Sequence, residues 1–576
     1  MSASLQNCAA QERGTAVASV SMRCVGFRQF IPSMTNFTAK ILNNAAGALA
    51  AQQAVIANTS GNIANVNTPG YARRAVDLQT RVTSSSSGAL DVGNGVEVGR
   101  ILRIADDFVE RQLRAATGDA GSARVQNQFL SRIQDLFSLT GDRPTIGSTL
   151  TSFFASLNDL KGQPASIELR NNVIAKSEDL INAIHGTYNS LASMQNEANE
   201  RIATEVQNVN SVTRQIAVLN GLISGREANG NSVAADERDR RDQLLLQLSE
   251  KLNVSIVPGD NGQVSVTLDN GFPLVYGSTS RDLEVTNSPT FGTNPPPGLS
   301  GQRMSYIVYD YDGTSGQSHA NLTPGISGGT IGGLLAIRGQ NDNNNGSAFQ
   351  ADGQLVAVAS RVEALARNLL TQFNETYRGA DRLSGSAGVQ ASSADLDGNA
   401  PALFGFFTFA TAPSSNVSGV PSSVDLAASG IDNFASIISL APTGPRNIAT
   451  ALDLSGGAAT PVYTAGDGSN LTNLIAMQSG SRTFAPPFGA YSFTGTYDGA
   501  YQEMISKVGN DKSRAEINQR VAESSKTAAQ SRRDEVSGVS LDEEFTNLIK
   551  FQKAYQASAR MIKIGEQLLD EVINLL

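Results

Sequence analysis

The chain has 576 residues, of which 40% are apolar and 17% charged, with a formal net charge of −9. That length calls for several domains, since single hydrophobic cores stop growing near roughly 250–300 residues. An acidic balance without a Lys/Arg-rich cluster argues against a nucleic-acid or anionic-membrane partner.

The scarce residues exclude more. Trp is absent, and the thiols and imidazoles are limited to Cys8, Cys24, His185 and His319. Beyond the first 33 residues neither a His/Cys metal site nor a disulfide framework can be assembled. No apolar run reaches the ~18 residues of a membrane helix, so membrane insertion is not expected. Thr15–Val20 is too short and mixed for the core of a cleaved signal peptide.

Residues 1–33 lack a regular period, hold both cysteines and set Arg13, Arg23 and Arg28 against one acid, Glu12. A clean helical pattern follows Met34, so the expected biological start is Met34, with 1–33 a disordered or mis-assigned extension. From Ile41 to Val66, apolar or small residues recur at steps of three and four: Leu42, Ala45, Leu49, Gln52, Ile56, Thr59, Ile63 and Val66. This is a helix seam with the ~3.5-residue period of a coiled coil. Between Ile41 and Ala72 there is no Asp, Glu, Lys or Arg, yet Asn and Gln abound. Amides are foreign to a membrane helix and an uncharged face is foreign to a lone surface helix, which leaves burial against other polar-lined helices. Asn67-Thr68-Pro69-Gly70-Tyr71 ends the helix, because proline biases Thr68 away from the helical region and glycine permits a turn. Tyr71 is either a turn aromatic packed on its own domain or an anchor between subunits.

Further long helices are expected over 105–138, 168–224, 234–252, 351–378 and 500–536, marked by series such as Ile202, Val206, Val209, Ile216, Leu219 and Leu355, Val358, Val362, Leu365, Leu369. They should pack into one bundle made of 73–252, 340–386 and 498–536. Two stretches differ. Residues 253–339 contain alternating segments such as Val264-Ser265-Val266-Thr267-Leu268 and the turn signal Asn270-Gly271, and 387–497 are rich in Gly, Ser, Ala, Pro and Asn. Both read as β-rich outer insertions.

The chain ends as it began. Leu541, Phe545, Leu548, Gln552, Tyr555, Ala559, Ile562, Glu566, Leu569, Ile573 and Leu576 keep the three-four spacing. Ser540 with Asp542, Glu543 and Glu544 makes an acidic first turn, favourable at a helix N-terminus. Glu543 and Glu544 diverge by about 100° on a helix and read as solvated. The terminal segments 34–72 and 537–576, each with an unfinished apolar seam, are expected to pair as a coiled-coil polymerisation core. The fold class is α+β, mainly α.

Chemistry is hard to find. Asp395-Leu396-Asp397-Gly398-Asn399 and Asp310-Tyr311-Asp312-Gly313 hint at calcium loops, but the twelfth positions are Phe406 and Asn321 where an EF-hand needs Glu. Polar β-turns fit better. Gly328-Gly329 through Gly332-Gly333 lacks the Lys-Ser/Thr of a phosphate loop. Nothing assigns His185 or His319 a nucleophile. No catalytic residue, metal ligand or cofactor is expected.

Ala50-Ala51-Gln52-Gln53 followed by Ser60-Gly61-Asn62-Ile63-Ala64-Asn65-Val66-Asn67-Thr68-Pro69-Gly70-Tyr71 resembles the N-terminal signature of the flagellar rod, hook and hook-associated proteins. Val92-Gly93-Asn94-Gly95-Val96, Arg241-Asp242-Gln243-Leu244, Gly332-Gly333-Leu334-Leu335, Gly538–Glu544 and Phe551–Arg560 are similar to the family too. Within it the match is nearest to the subunit between the curved hook and the stiff filament. The resemblance implies that Leu42, Leu49, Gln52, Ile56, Asn62, Ile63 and Asn65 of the first helix pair with Leu541, Phe545, Leu548, Tyr555, Ile562, Leu569, Ile573 and Leu576 of the last. The pair would line an export channel, with the bundle around it and the β regions outside. Identical Asn and Gln side chains are expected to hydrogen-bond between subunits and set their register. The implied partners are copies of itself in a ring, the hook protein, hook-associated protein 3 and an export chaperone on the last helix. The implied location is extracellular, reached through the flagellar type III apparatus. A hook- or rod-type subunit is the other reading from this architecture. A carboxylate-using hydrolase housed in the β-rich regions is the reading from a different class.

Overall fold

The computed structural model describes residues 21–81, 93–138, 144–228, 233–287, 298–310, 319–340, 353–378, 393–399, 405–409, 433–452, 463–464, 466–486 and 491–575. The fold is α+β and mainly α. Its helices are α1 (Ser21–Ala64), α2 (Asp107–Phe137), α3 (Ile146–Gly162), α4 (Ile167–Glu227), α5 (Ala235–Lys251), α6 (Gly329–Arg338), α7 (Gln354–Asn368), α8 (Asn374–Arg378), α9 (Ser469–Ser479), α10 (Tyr497–Ser537) and α11 (Leu541–Leu575). A π-helical turn, Leu369–Phe373, joins α7 to α8.

The chain divides into two compact units. The first gathers Met1–Glu110, Leu222–Asp242 and Ser531–Leu576. In it α1 lies against α11 and against an antiparallel hairpin, β1 (Arg74–Thr80) with β2 (Val96–Arg103), paired from Arg74↔Arg103 to Thr80↔Val96 with one irregularity between Asp77 and Leu78. Residues 73–110 and 222–242 therefore belong with the terminal helices and not with the bundle, where helical periodicity had no means of placing a short hairpin. Residues 1–20 fall outside the described set. The backbone of α1 already runs from Ser21, so it shows no break at Met34.

The second unit holds Arg111–Gly221 and Gln243–Gln530. α3 opens with a capping box in which Thr145 and Ser148 satisfy each other's backbone N–H groups. An aromatic cluster lies beneath it, with Phe153 5.6 Å from Phe373 and 5.9 Å from Phe407. The regions 253–339 and 387–497 are not separate outer insertions. Their strands share one hydrophobic core with the helices, a core that includes Val266, Leu274, Ile307 and Phe434 as well as Ile202, Val209 and Ile216. They also contain α6 and α9. Amides along α4 tie the sheets down. Asn220 bonds both backbone groups of Val264 (2.7 and 3.2 Å), and Asn210 bonds both of Leu283 (2.8 and 2.9 Å). A buried strand edge has to find partners somewhere, and here a helix face supplies them. Gly333 belongs to the same packing, since a Cβ there would meet the Ser122 carbonyl at 2.7 Å.

The remaining chemical candidates resolve into structure. Asp395 accepts the N–H groups of Asp397 and Asn399 at 2.9 and 2.8 Å, closing a polar turn. Asp310 ends a strand, while 311–318 lie outside the described residues. His185 sits on α4 against the Ile438 backbone, where burial lowers its imidazole pKa. His319 begins a short strand.

Candidate assembly site

The terminal helices pair antiparallel. Asn62 meets Glu544, Gln53 reaches the Tyr555 hydroxyl at 3.4 Å, and Leu42 lies over Gly565, where a Cβ would come within 2.7 Å of its side chain. Residue numbers fall along one helix as they rise along the other. At the start of the pair the Arg73 N–H donates to the Ser537 carbonyl (2.8 Å), holding the end of α10 beside the turn that ends α1.

That turn is made by the signature residues. The Asn65 side chain donates to the Gly61 carbonyl (2.9 Å), Thr68 Oγ1 donates to Asn65 Oδ1 (3.1 Å), and Gly70 adopts φ 79°, a conformation natural to glycine. At its centre is Asn62, 1% exposed. Its Nδ2 donates to the Arg74 carbonyl (2.9 Å) and to Glu544 Oε1 (3.1 Å). Its Oδ1 accepts from the Tyr71 hydroxyl (2.8 Å) and the Arg74 N–H (3.1 Å). Every hydrogen-bonding position of that amide is filled. Asn58 adds a bond to the Arg74 carbonyl (2.7 Å), and Asn44 one to the Gly93 carbonyl (2.7 Å). Each of these amides makes at least one bond within the chain, and Asn62 has no position left for a neighbouring copy. Tyr71 likewise packs on its own unit, with the Arg74 guanidinium 5.1 Å from its ring centre and burial raising its phenol pKa.

Charge surrounds this node. Arg103 pairs with Asp239 and Asp242, each at 2.7 Å, Arg74 with Asp236 at 2.5 Å, and Arg73 with Glu543 at 2.6 Å. Arg533 donates to the Gly70 carbonyl (2.8 Å) and faces Glu110. Burial raises the Asp239 carboxyl pKa although Arg103 opposes it, and burial lowers Arg241 to about 10. Glu544, read from the sequence as solvated, is 3% exposed. Burial raises its pKa, against the pull of Asn62 and Arg73. Its position, one residue before the apolar Phe545, places it under α1 and not in water.

The protected positions of α11 include the series Glu544, Leu548, Phe551, Tyr555, Ser558, Ile562, Gly565 and Leu569, at regular four-three spacing. Apolar periodicity finds Leu548, Tyr555, Ile562 and Leu569, which are half-buried, but places Phe545 where Glu544 stands. Leu541, Phe545 and Ile573 are exposed instead, and Leu576 lies outside the described residues. From Thr38 to the end of α1 the buried residues are Thr38, Ala45, Ala51, Val55, Thr59 and Asn62, while Leu42, Leu49, Gln52, Ile56 and Ile63 are only half-buried. The displacement arises because α1 is covered on two sides, by α11 and by the hairpin. Asn65, Gly70 and Tyr71 are half-buried, and Asn67, Thr68 and Pro69 face outward. Apolar counting missed Arg73, Arg74, Arg103, Asp239 and Glu544. One signal was available: Asp236, Asp239 and Asp242 at steps of three put acids on one side of α5.

Three family models match the chain: the flagellar hook-associated protein FlgK helical domain over 130–391, the flagellar basal body rod FlgEFG protein C-terminal over 530–575, and the flagella basal body rod protein over 42–71. Flagellar hook-associated protein 1 of Escherichia coli (strain K12) is 26% identical, across 93% of this chain and 99% of that protein. The chain belongs to the flagellar hook-associated protein 1 family. Flagellar hook-associated protein 1 of Bacillus subtilis (strain 168) is 27% identical across 92% of this chain and 97% of its own length. The flagellar hook junction protein FlgK from Burkholderia pseudomallei shares the fold, with a TM-score of 0.55 at 16% identity, over 74% of this chain and 100% of that one. As a member of the hook-associated protein 1 family, the chain is a structural subunit of the flagellar axis, a component of the extracellular flagellum. No helix among the described residues is long and apolar enough to cross a membrane.

Proposed function

We propose that this chain builds the joint between hook and filament, associating with copies of itself in a ring through its terminal helix pair and adapting one lattice to the other. The observation that carries this reading is an outward apolar surface on a helix whose inner seam is already closed. Leu541, Phe545, Ile549, Met561, Ile564, Leu568 and Ile573 of α11 are 41% to 60% exposed. Rows of this kind call for a partner. Neighbouring copies in the ring, the hook protein on one side and hook-associated protein 3 on the other are the partners this role requires. An export chaperone would cover the same surface beforehand, during passage through the type III apparatus. The role is mechanical and needs no catalysis. The match over 130–391 favours the junction subunit over a hook- or rod-type subunit, whose models cover the terminal segments.

Replacing Phe545 and Ile549 together by Asp tests this directly. Both side chains point away from the inner seam, so the monomer should keep its far-UV helical signal. Each substitution removes about 1.5–3 kcal/mol of apolar burial from any interface formed there. Cells carrying the variant should build hooks and release filament subunits unpolymerised. Filaments of normal length and number on those hooks would refute the assembly reading.

A further inference from the structure

The last helix carries two overlapping seams. They share Leu548, Tyr555, Ile562 and Leu569 and differ in the positions between. One uses Glu544, Phe551, Ser558 and Gly565; the other uses Phe545, Gln552, Ala559 and Glu566, with Leu541 and Ile573 at its ends. Turning the helix by roughly 50°, half of the ~100° step between residues, exchanges them. At the first two turns apolar burial favours the second seam, since Phe545 and Leu541 would go in and a carboxylate would come out to water. The structure holds the first seam: Glu544 is 3% exposed and Phe545 is 48% exposed. The first helix makes a matching choice, burying Asn62 and Val55 while Ile63 and Ile56 stay half-buried.

Something must offset the lost burial, and polar contacts at one point do so. Glu544 accepts from Asn62 Nδ2 at 3.1 Å and also hydrogen-bonds the Thr59 side chain. Asn62 is itself immobilised by Tyr71 and by both backbone groups of Arg74. A lone polar residue in an apolar seam is a known means of specifying one arrangement at a cost in stability. We infer that Glu544, held by Asn62 and Thr59, sets the rotation of the last helix and thereby aims Leu541, Phe545 and Ile549 outward. Glu544 is thus a positioning residue for the face assigned above to assembly, and only that consequence rests on the assembly reading; the rotation belongs to the monomer.

The absence of Trp makes the test clean. Phe545→Trp gives the full-length chain one indole, which should emit as solvent-exposed and be quenched readily by acrylamide. Adding Glu544→Ala removes the anchor without adding bulk. The helix should then turn, shifting emission to the blue and cutting the quenching constant about threefold or more. Adding Glu544→Gln in its place keeps an oxygen for Asn62 and should restore the exposed, quenchable indole. An unchanged indole in the Ala variant overturns the inference. So does equal burial in the Gln variant, and so does loss of the helical signal in the Ala variant, which would make Glu544 a requirement for folding and not for aim. Because the measurement uses the monomer, it stands even if the Phe545→Asp, Ile549→Asp variant still assembles.

Discussion

Replacing Asn62 by Ala should open the terminal-helix unit while sparing the other. The truncation removes four hydrogen bonds: to Tyr71, to both backbone groups of Arg74, and to Glu544. Two of these losses are cheap. The Arg74 carbonyl keeps Asn58 as a donor, and the half-buried Tyr71 hydroxyl can turn to water. The other two leave the Arg74 N–H and a buried carboxylate short of a partner. An orphaned buried donor costs about 1–3 kcal/mol and a lost bond to a charged group about 1.5–3 kcal/mol. Better helix propensity of Ala returns roughly 0.6 kcal/mol. A net loss of about 3 kcal/mol corresponds to a ~150-fold larger opening constant, at tenfold per 1.4 kcal/mol. Native-state hydrogen exchange on the full chain reads this locally. Amides of 50–62 and 544–560 should exchange faster by that factor, while α4 amides around Asn210 stay unchanged. A rise below about fivefold would mean that the node is stabilised by packing and that its amide is dispensable.

Two further outcomes follow from geometry and charge. Gly333→Ala should destabilise the second unit by about 1–2 kcal/mol, because its Cβ would meet the Ser122 carbonyl at 2.7 Å and the Ser122 Cα at 3.0 Å; an unchanged urea midpoint would show that the α6 contact gives way freely. Glu544→Gln should protect the terminal unit more than the parent at pH 8. Burial raises the Glu544 pKa, so its favourable contribution is complete below the unfolded value and is lost as pH rises through the folded one. The difference between variant and parent should vanish near pH 4, and a Gln variant less protected at pH 8 would reverse the sign assigned here.

Periodicity and turn chemistry made the terminal helices legible, down to the turn at Asn67–Tyr71, because a three-four repeat and Pro-Gly act locally. The long α4 was legible for the same reason. The hairpin of Arg74–Thr80 with Val96–Arg103 was not, since its pairing spans residues that carry no alternation strong enough to stand out. The β regions were recognised as strands but misplaced. Nothing local in Val264 or Leu283 announces that Asn220 and Asn210, on a helix tens of residues away, will satisfy their backbone groups.

The seam of the last helix failed in a more instructive way, because half its positions were right. Counting apolar residues assumes that the largest of them face inward. On a helix that carries two apolar rows that assumption has no unique solution, since both rows compete for one interior. The deciding information lies in residues that hydrophobicity scores as noise: a carboxylate at 544, a serine at 558, a glycine at 565 and the amide at 62. Each costs burial or packing where it sits, and each is buried or half-buried in the structure. A polar or small residue inside a seam, flanked by an apolar neighbour left outside, therefore marks the side on which a helix expects company.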